Sequence, residues 1–364
     1  MLEVLLREYN LPSFPVENTR EECQRLFQEH VYGFLPEKPE SISWETAWTP
    51  NYCFCAGNAS LKKVQISGKL SNGNEYSFPV YVSVPTGDKG RKCPFFVFIN
   101  FRPDVPDRYL PIEEIIDNGF AVLSFDYNDV TKDNGDFSDG IAKAFFPDGR
   151  KNKNDAGKIM MWAWAAMRVM DYAHAALSDV LDLENAGVVG HSRLGKTALV
   201  TASFDERFKF CFSNDSGCGG AALERNHHDC GSERNQIAER IADMTAVFDY
   251  WFCENYLQYR NNENAMPLDQ HFFAPCIFPR HLYIASAKED KWADPINEFM
   301  CAYAVGKYYE ECGKDGLICP DRLPVSDERF AGGNVAYHIR PGQHYISRKD
   351  WNYYMDYMKN YKSK

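Results

Sequence analysis

The sequence predicts an α/β domain with a mostly parallel central sheet, helices on both faces and a lid-like insertion. Three observations predict it. Residues 94–100 and 121–126 are short apolar runs of strand length without polar alternation, as expected of strands buried on both faces. Strand-like and helix-like stretches then alternate in the order β-α-β-α, which lays strands side by side in parallel. The chain has 364 residues, 45% of them hydrophobic, enough for one large core and unlike a disordered segment.

Taken in order, residues 1–60 are rich in turns and lack steady periodicity. They read as an N-terminal arm packed on a single domain spanning 61–364. Strands over 64–70 and 76–84 flank Asn72-Gly73-Asn74, a β-hairpin signal. The runs 94–100 and 121–126 are the next strands, with a helix beginning over 112–116 between them. Residues 158–177, KIMMWAWAAMRVMDYAHAAL, are helical by composition and spacing, and Asp155 is a candidate cap. A short strand, 186–190, runs directly into His191-Ser192-Arg193-Leu194-Gly195-Lys196 and a small-residue helix, TALVTASF. Strands over 208–214 and 281–286 follow. Between them, residues 221–275 are a long insertion, naturally placed as a lid over the site.

Charge and cysteine content narrow the function. The formal net charge is -11, which repels phosphate backbones and argues against nucleic acid as a partner. Glu3, Arg7 and Glu8 interrupt the N-terminal apolar residues, so no export signal is recognisable and a cytoplasmic location is expected; a trimmed N-terminus would imply secretion. No stretch approaches a membrane span, and a monomer is expected. The twelve cysteines are irregularly spaced with no CxxC pair, which reads as buried reduced thiols. Cys53-Phe54-Cys55 is too tight for a zinc site. Whether Cys218 and Cys253 are bridged stays open.

The chemistry concentrates at Gly190-His191-Ser192-Arg193-Leu194-Gly195. A serine on a sharp strand-to-helix turn is a nucleophile elbow: small neighbours permit the strain, and the helix N-terminus directs partial positive charge at the hydroxyl. The motif departs from G-x-S-x-G, because Leu194 stands at +2 and the glycine at +3. The competing reading is an ordinary turn with a capping serine. Chain order favours the elbow, since this fold places its base near the C-terminus. His344, in Gly342-Gln343-His344-Tyr345, has that position. His191 neighbours the serine, but its side chain is expected to leave the elbow in another direction. His227-His228-Asp229-Cys230 has a metal-like look against the simpler reading of an exposed loop. Asp290, after the strand ending at 286, and Asp215, after the strand ending at 214, both qualify to orient His344.

GHSRLGKTAL followed by DERFKFCFSNDSGCGGAAL resembles the glucuronoyl esterases, carbohydrate esterase family 15, which have the α/β-hydrolase fold. The likeness runs from about residue 90 onward. Met266-Pro-Leu-Asp-Gln-His271, Lys288-Glu-Asp-Lys-Trp-Ala-Asp-Pro295 and Gly342-Gln-His344 with Asp350-Trp351 agree with it. The resemblance implies Ser192 as nucleophile, His344 as base, and Arg193 facing the oxyanion with its backbone N–H and guanidinium. It implies Lys196 reaching sugar hydroxyls and Trp292 packing on a uronate ring. Asp215 stands where some members carry a glutamate, one methylene longer, so Asp290 is the favoured acid. The insertion is longer and more polar than the family pattern, leaving Glu239 and Arg240 as candidate sugar contacts. The loop after Asn100 lacks the glycines expected near an oxyanion hole. The implied activity is Ser-His-Asp hydrolysis of glucuronate esters on xylan, with no metal or organic cofactor. An acetyl xylan esterase or other carbohydrate deacetylase would use the same triad, and a catalytically silent carbohydrate-binding protein could share the scaffold. Nothing in the chain suggests the groove of a peptidase.

Overall fold

Ten strands form one sheet in a computed structural model that describes residues 1–48, 53–87, 92–225 and 238–362. They are β1 Ser41–Thr46, β2 Ala59–Lys69, β3 Glu75–Pro85, β4 Cys93–Asn100, β5 Ala121–Asp126, β6 Leu181–His191, β7 Phe210–Asn214, β8 His281–Ala287, β9 Glu328–Phe330 and β10 Val335–Arg340. Their order is β1-β2-β3-β5-β4-β6-β7-β8-β10-β9. The six strands from β5 to β10 in that order run parallel, and β1, β2, β3 and β9 pair antiparallel at the two ends. This is the α/β-hydrolase fold.

Burial explains the strand patterns. Every residue of β5, β7, β8 and β10 is buried, because helices cover both faces there. β2 and β3 lie toward one end and alternate between buried and more exposed positions. One face of the sheet packs against the helices Lys158–Ala176, Arg193–Phe204 and Pro295–Glu311, with Trp162 and Trp164 fully buried. The other packs against Ile112–Asp117 and Arg348–Lys362, with Trp351 and Tyr354 at its centre. Truncating one of these tryptophans would cost about 3–5 kcal/mol.

Three local expectations need correction. Residues 41–46 are an edge strand, and β2 begins at Ala59; β1 is short and mostly exposed, with Ile42 and Trp44 its only apolar residues. Within the N-terminal arm, the helices Leu2–Glu8 and Thr19–Phe27 bury Leu2, Cys23 and Phe27 in the core. Asp155 does not cap the following helix. Gly157 is its N-cap, and the Asp155 carboxylate instead accepts from the N–H groups of Lys151 and Asn152. Glycine is required at 157, because a Cβ there would lie 2.3 Å from the Trp251 carbonyl oxygen. The described part of the insertion thus packs down on the core, burying Trp251, Phe252 and Tyr256. Among the described residues, no helix is long and apolar enough to cross a membrane.

Candidate active site

Register brings the chemistry to one edge. β6 pairs with β7 so that His191 faces Asn214, and β7 pairs with β8 so that Asn214 faces Ala285. β10 joins β8 with Arg340 opposite Ala287. The residues immediately after these four strands therefore meet at the carboxyl edge. Ser192 stands between β6 and the helix Arg193–Phe204 at φ 59°, ψ -131°, a strained conformation for a residue with a Cβ. Its N–H donates to the Asn214 carbonyl at 2.8 Å, and its own carbonyl accepts from Gly195 and Lys196. The turn is that sharp because Gly190 lies against the next backbone segment: a Cβ there would stand 1.8 Å from the Leu194 carbonyl oxygen. A Cβ on Gly195 would crowd Ser216 and the Asn214 carbonyl at 3.0–3.1 Å. Glycine at -2 and +3 thus serves this elbow, while the Leu194 side chain at +2 is buried in the core. The first N–H groups of the helix, Arg193 foremost, have no intrahelical acceptor and are free to bind an anion.

His344 lies on the loop after β10, its side chain 45% exposed, with Nδ1 2.5 Å from Asp290 Oδ2. Donation from Nδ1–H to the carboxylate leaves Nε2 to take a proton. Asp215 sits in the same cluster: one donor atom from each of Asp215, Asp290 and His344 lies within 4.8 Å of the others. The two acids differ in what they hold. Asp215 is fully buried at φ 43°, and its Oδ1 accepts from the Ala287 N–H at 2.6 Å. Its Oδ2 accepts from Arg340 at 3.3 Å. Burial and the nearby Glu298 carboxylate push its pKa up, against the pull of Arg340. Asp290, not Asp215, is the acid hydrogen-bonded to His344. The three groups are of metal-ligand type, but Asp215 already faces the Arg340 cation and His344 is already bonded to Asp290, which disfavours a second cation there.

The His191 ring does not leave the elbow as expected. It stacks tilted against the His344 ring at 4.4 Å, and its Nδ1 lies 2.7 Å from Asn214 Oδ1. Burial, reinforced by His344, drops its pKa to about 3, so it is a neutral imidazole beside the base. Because residue 191 touches the imidazole of 344, the adjacent serine and that base share one pocket edge. The Ser192 hydroxyl makes no hydrogen bond within the described protein, and the pair is not bonded in this state; such contacts commonly tighten only when substrate is bound.

Arg193 is half enclosed by aromatic rings, its guanidinium 4.8 Å from the Trp251 ring centre and 5.6 Å from those of Phe101 and Phe248. It pairs with Asp133, which also accepts from Trp251 Nε1 at 2.6 Å and the Tyr127 hydroxyl at 3.0 Å. Arg193 Nε is buried without a partner, an unspent donor beside the nucleophile. Phe101 comes from the glycine-poor loop after Asn100, so that loop supplies an aromatic wall. Lys196 is buried; its Nζ donates to the Ser216 carbonyl and lies 4.0 Å from Glu239 Oε2. Glu239 accepts from Trp292 Nε1 at 3.1 Å. Burial raises the Glu239 carboxyl, opposed by Lys196 and that N–H. Trp292, in the short turn Lys291–Ala293, is 52% exposed. Arg240 begins the helix Ile241–Phe248, its N–H held by Asp243 at 3.2 Å.

The structure therefore gathers Ser192, His344, Asp290, Asp215 and Arg193 at one edge, with Lys196, Glu239 and Trp292 linked beside them. Asp133 and Trp251, absent from the sequence reading, hold the arginine; no motif signals them, since they lie 118 positions apart. Cys218 and Cys253 are both buried free thiols. The segment His227-His228-Asp229-Cys230 lies outside the described residues.

Comparison with known proteins gives consistent results. The profile of the family described as glucuronyl esterase, fungi, matches residues 68–313. A carbohydrate esterase from an unknown prokaryotic organism is 29% identical over 381 residues, covering 94% of this chain and 84% of its own length. The 4-O-methyl-glucuronoyl methylesterase of Podospora anserina is 26% identical over 296 residues; the match covers 80% of this chain but only 55% of the fungal protein. The solved glucuronoyl esterase from Solibacter usitatus superposes with a TM-score of 0.82 at 29% identity, covering 94% of this chain and 92% of that one.

Proposed function

The chain belongs to the glucuronoyl esterase family, and from that premise we propose that it hydrolyses esters of glucuronic acid or its 4-O-methyl ether on xylan, through an acyl-enzyme on Ser192. The observation that carries the reading is the 2.5 Å contact of His344 with Asp290 at the edge where Ser192 occupies its strained turn. Nε2 of His344 takes the proton of Ser192 as Oγ attacks the ester carbonyl. The Arg193 N–H and guanidinium receive the developing oxyanion; one such donor is typically worth about 3–4 kcal/mol. The alcohol leaves with the proton from His344, and water, deprotonated by the same imidazole, releases the acid. Buried His191 stays neutral throughout and adds no competing charge. Lys196, Glu239 and Trp292 suit a sugar acid: a cation and a carboxylate for hydroxyl groups, an exposed indole for a ring face.

The test pairs substrates with a variant. Glucuronate methyl or benzyl ester should be turned over, and acetylated xylan much less. Ser192→Ala should lower that turnover by at least about a thousandfold while the circular dichroism spectrum is kept. A clean Ser192→Ala preparation with undiminished hydrolysis sinks the reading. Failure of a fluorophosphonate to label wild-type Ser192 would point instead to a silent carbohydrate-binding protein.

A further inference from the structure

The base loop, residues 341–347, has no regular secondary structure, and Gln343, His344 and Tyr345 are exposed. Asp290 and His191 contact the imidazole itself, and one buried side chain bonds the backbone on both sides of it. Arg340 ends β10 and turns its guanidinium inward, with only 5% of the side chain exposed. Nε donates to both carboxylate oxygens of Asp350, at 3.2 and 3.0 Å. One terminal nitrogen donates to the Pro341 carbonyl at 3.2 Å. The other donates to Asp215 Oδ2 and to the carbonyls of Gln343, at 3.2 Å, and Tyr345. Gln343 and Tyr345 are the two neighbours of His344 in the chain.

The anchors behind the arginine are themselves fixed. Asp350 accepts from His338 Nε2 at 2.8 Å and from the N–H and hydroxyl of Ser347 at 2.6 and 2.7 Å. Burial alone would raise its carboxyl, but His338, Arg340 and Ser347 hold it at about 2, so it stays ionised. A guanidinium offers five N–H groups in a rigid plane and can serve several acceptors at once, here with the Nε hydrogen shared between two oxygens and two hydrogens of one terminal nitrogen shared among three. A lysine ammonium offers three donors at a single point.

We propose that Arg340 is a positioning residue for the general base, bonding the carbonyls on either side of His344 while Asp350 and Asp215 anchor it from within. Asp215 then supports the base through the arginine, not by touching the imidazole. The inference deepens the esterase reading and rests on it.

The experiment compares wild type, Ser192→Ala, Arg340→Lys, Arg340→Gln and His344→Ala, and adds Arg340→Lys to His344→Ala. Glucuronate benzyl ester is the substrate, and free glucuronate is the competing ligand. The arginine variants should lose about 10- to 100-fold in kcat, the scale of a small misplacement of a reacting group. KM and the inhibition constant of glucuronate should stay within about twofold, and fluorophosphonate labelling should slow with kcat. In the His344→Ala background, Arg340→Lys should change the residual rate by less than about twofold, because its only route to the chemistry has been removed. A purely structural arginine would lower the melting temperature and cost the same factor in both backgrounds. Wild-type kcat in Arg340→Lys, an undiminished loss without His344, a loss confined to KM, or failure of both arginine variants to fold would each overturn the proposal. A fully active Ser192→Ala would instead sink the esterase reading itself.

Discussion

The sheet edge and the rim above it are built by different means. At the edge, Ser192, Asp215, Asp290 and His344 each stand within a few residues of a strand end, and the ladder register brings them together. Their backbones are tied into the sheet: the N–H of Ser192 bonds to Asn214, and that of Asp215 to Ala285. At the rim, Glu239 and Trp292 find each other across 53 positions. Asp133 and Trp251 do so across 118. Edge geometry is thus inherited from the fold, whereas rim geometry depends on one long insertion docking correctly. Changes at the edge should therefore appear in kcat, and changes at the Glu239–Trp292 part of the rim in KM; Asp133 and Trp251, which hold Arg193, act on kcat.

Asp290→Asn tests the edge at its most sensitive contact and should show the largest effect. An amide in place of the carboxylate can donate to Nδ1 and impose the wrong imidazole tautomer, so kcat should fall about 10⁴-fold with KM nearly unchanged. Steady-state kinetics at neutral pH measure this directly. Retention of more than about a tenth of kcat would mean that Asp215, already in the same cluster, reaches the imidazole. The double variant Asp290→Asn with Asp215→Asn would then fall much further than either alone.

A smaller effect, on the other axis, is expected from Trp292→Ala. The residue is half exposed, and its indole N–H donates to Glu239. Loss of an aromatic contact worth about 0.5–1.5 kcal/mol should raise KM about 2- to 10-fold and leave kcat within about twofold. A fall in kcat with KM unchanged would erase the division between edge and rim, placing the tryptophan in the chemistry.

The same division explains what the sequence revealed. The elbow was legible because strand, turn and helix are contiguous, and even its displaced glycine, Gly195 at +3, answers a packing demand, since a Cβ there would crowd Ser216 and the Asn214 carbonyl. The residues alone left Asp290 and Asp215 both open; the preference for Asp290 came from the family resemblance, in which some members carry a glutamate, one methylene longer, where Asp215 stands. The direction of the His191 ring did not follow, because it is set by the pairing of His191 with Asn214 on another strand. Strand β1 was missed because only two apolar residues, Ile42 and Trp44, alternate within its six positions. Asp133 and Trp251 were invisible because nothing local distinguishes an aspartate that clamps an arginine from one that closes a turn.

Beneath the edge lies a buried carboxyl that the chemistry does not require, and it offers the subtlest test. Glu298 accepts from the N–H groups of Ser216 and Gly217 at 2.7 and 3.0 Å and from the Ser286 hydroxyl at 2.6 Å. Burial raises its pKa to about 8 despite those donors, so the native state keeps a proton that the unfolded chain releases near 4.5. Between these values the unfolded chain binds fewer protons than the native one. The contribution is therefore whole below about pH 4.5 and is lost as pH rises through about 8, at no more than about 1.4 kcal/mol per pH unit. Glu298→Gln imitates the protonated carboxyl and carries nothing to titrate. Urea unfolding from pH 5 to 8 should give the variant the flatter dependence, though not a flat one, since Asp215 is raised by burial in the same sense. Equal slopes in the two proteins would mean that Glu298 is ionised in the native state. The strand ends would then rest on a buried charge instead of a neutral hydrogen-bonded acid.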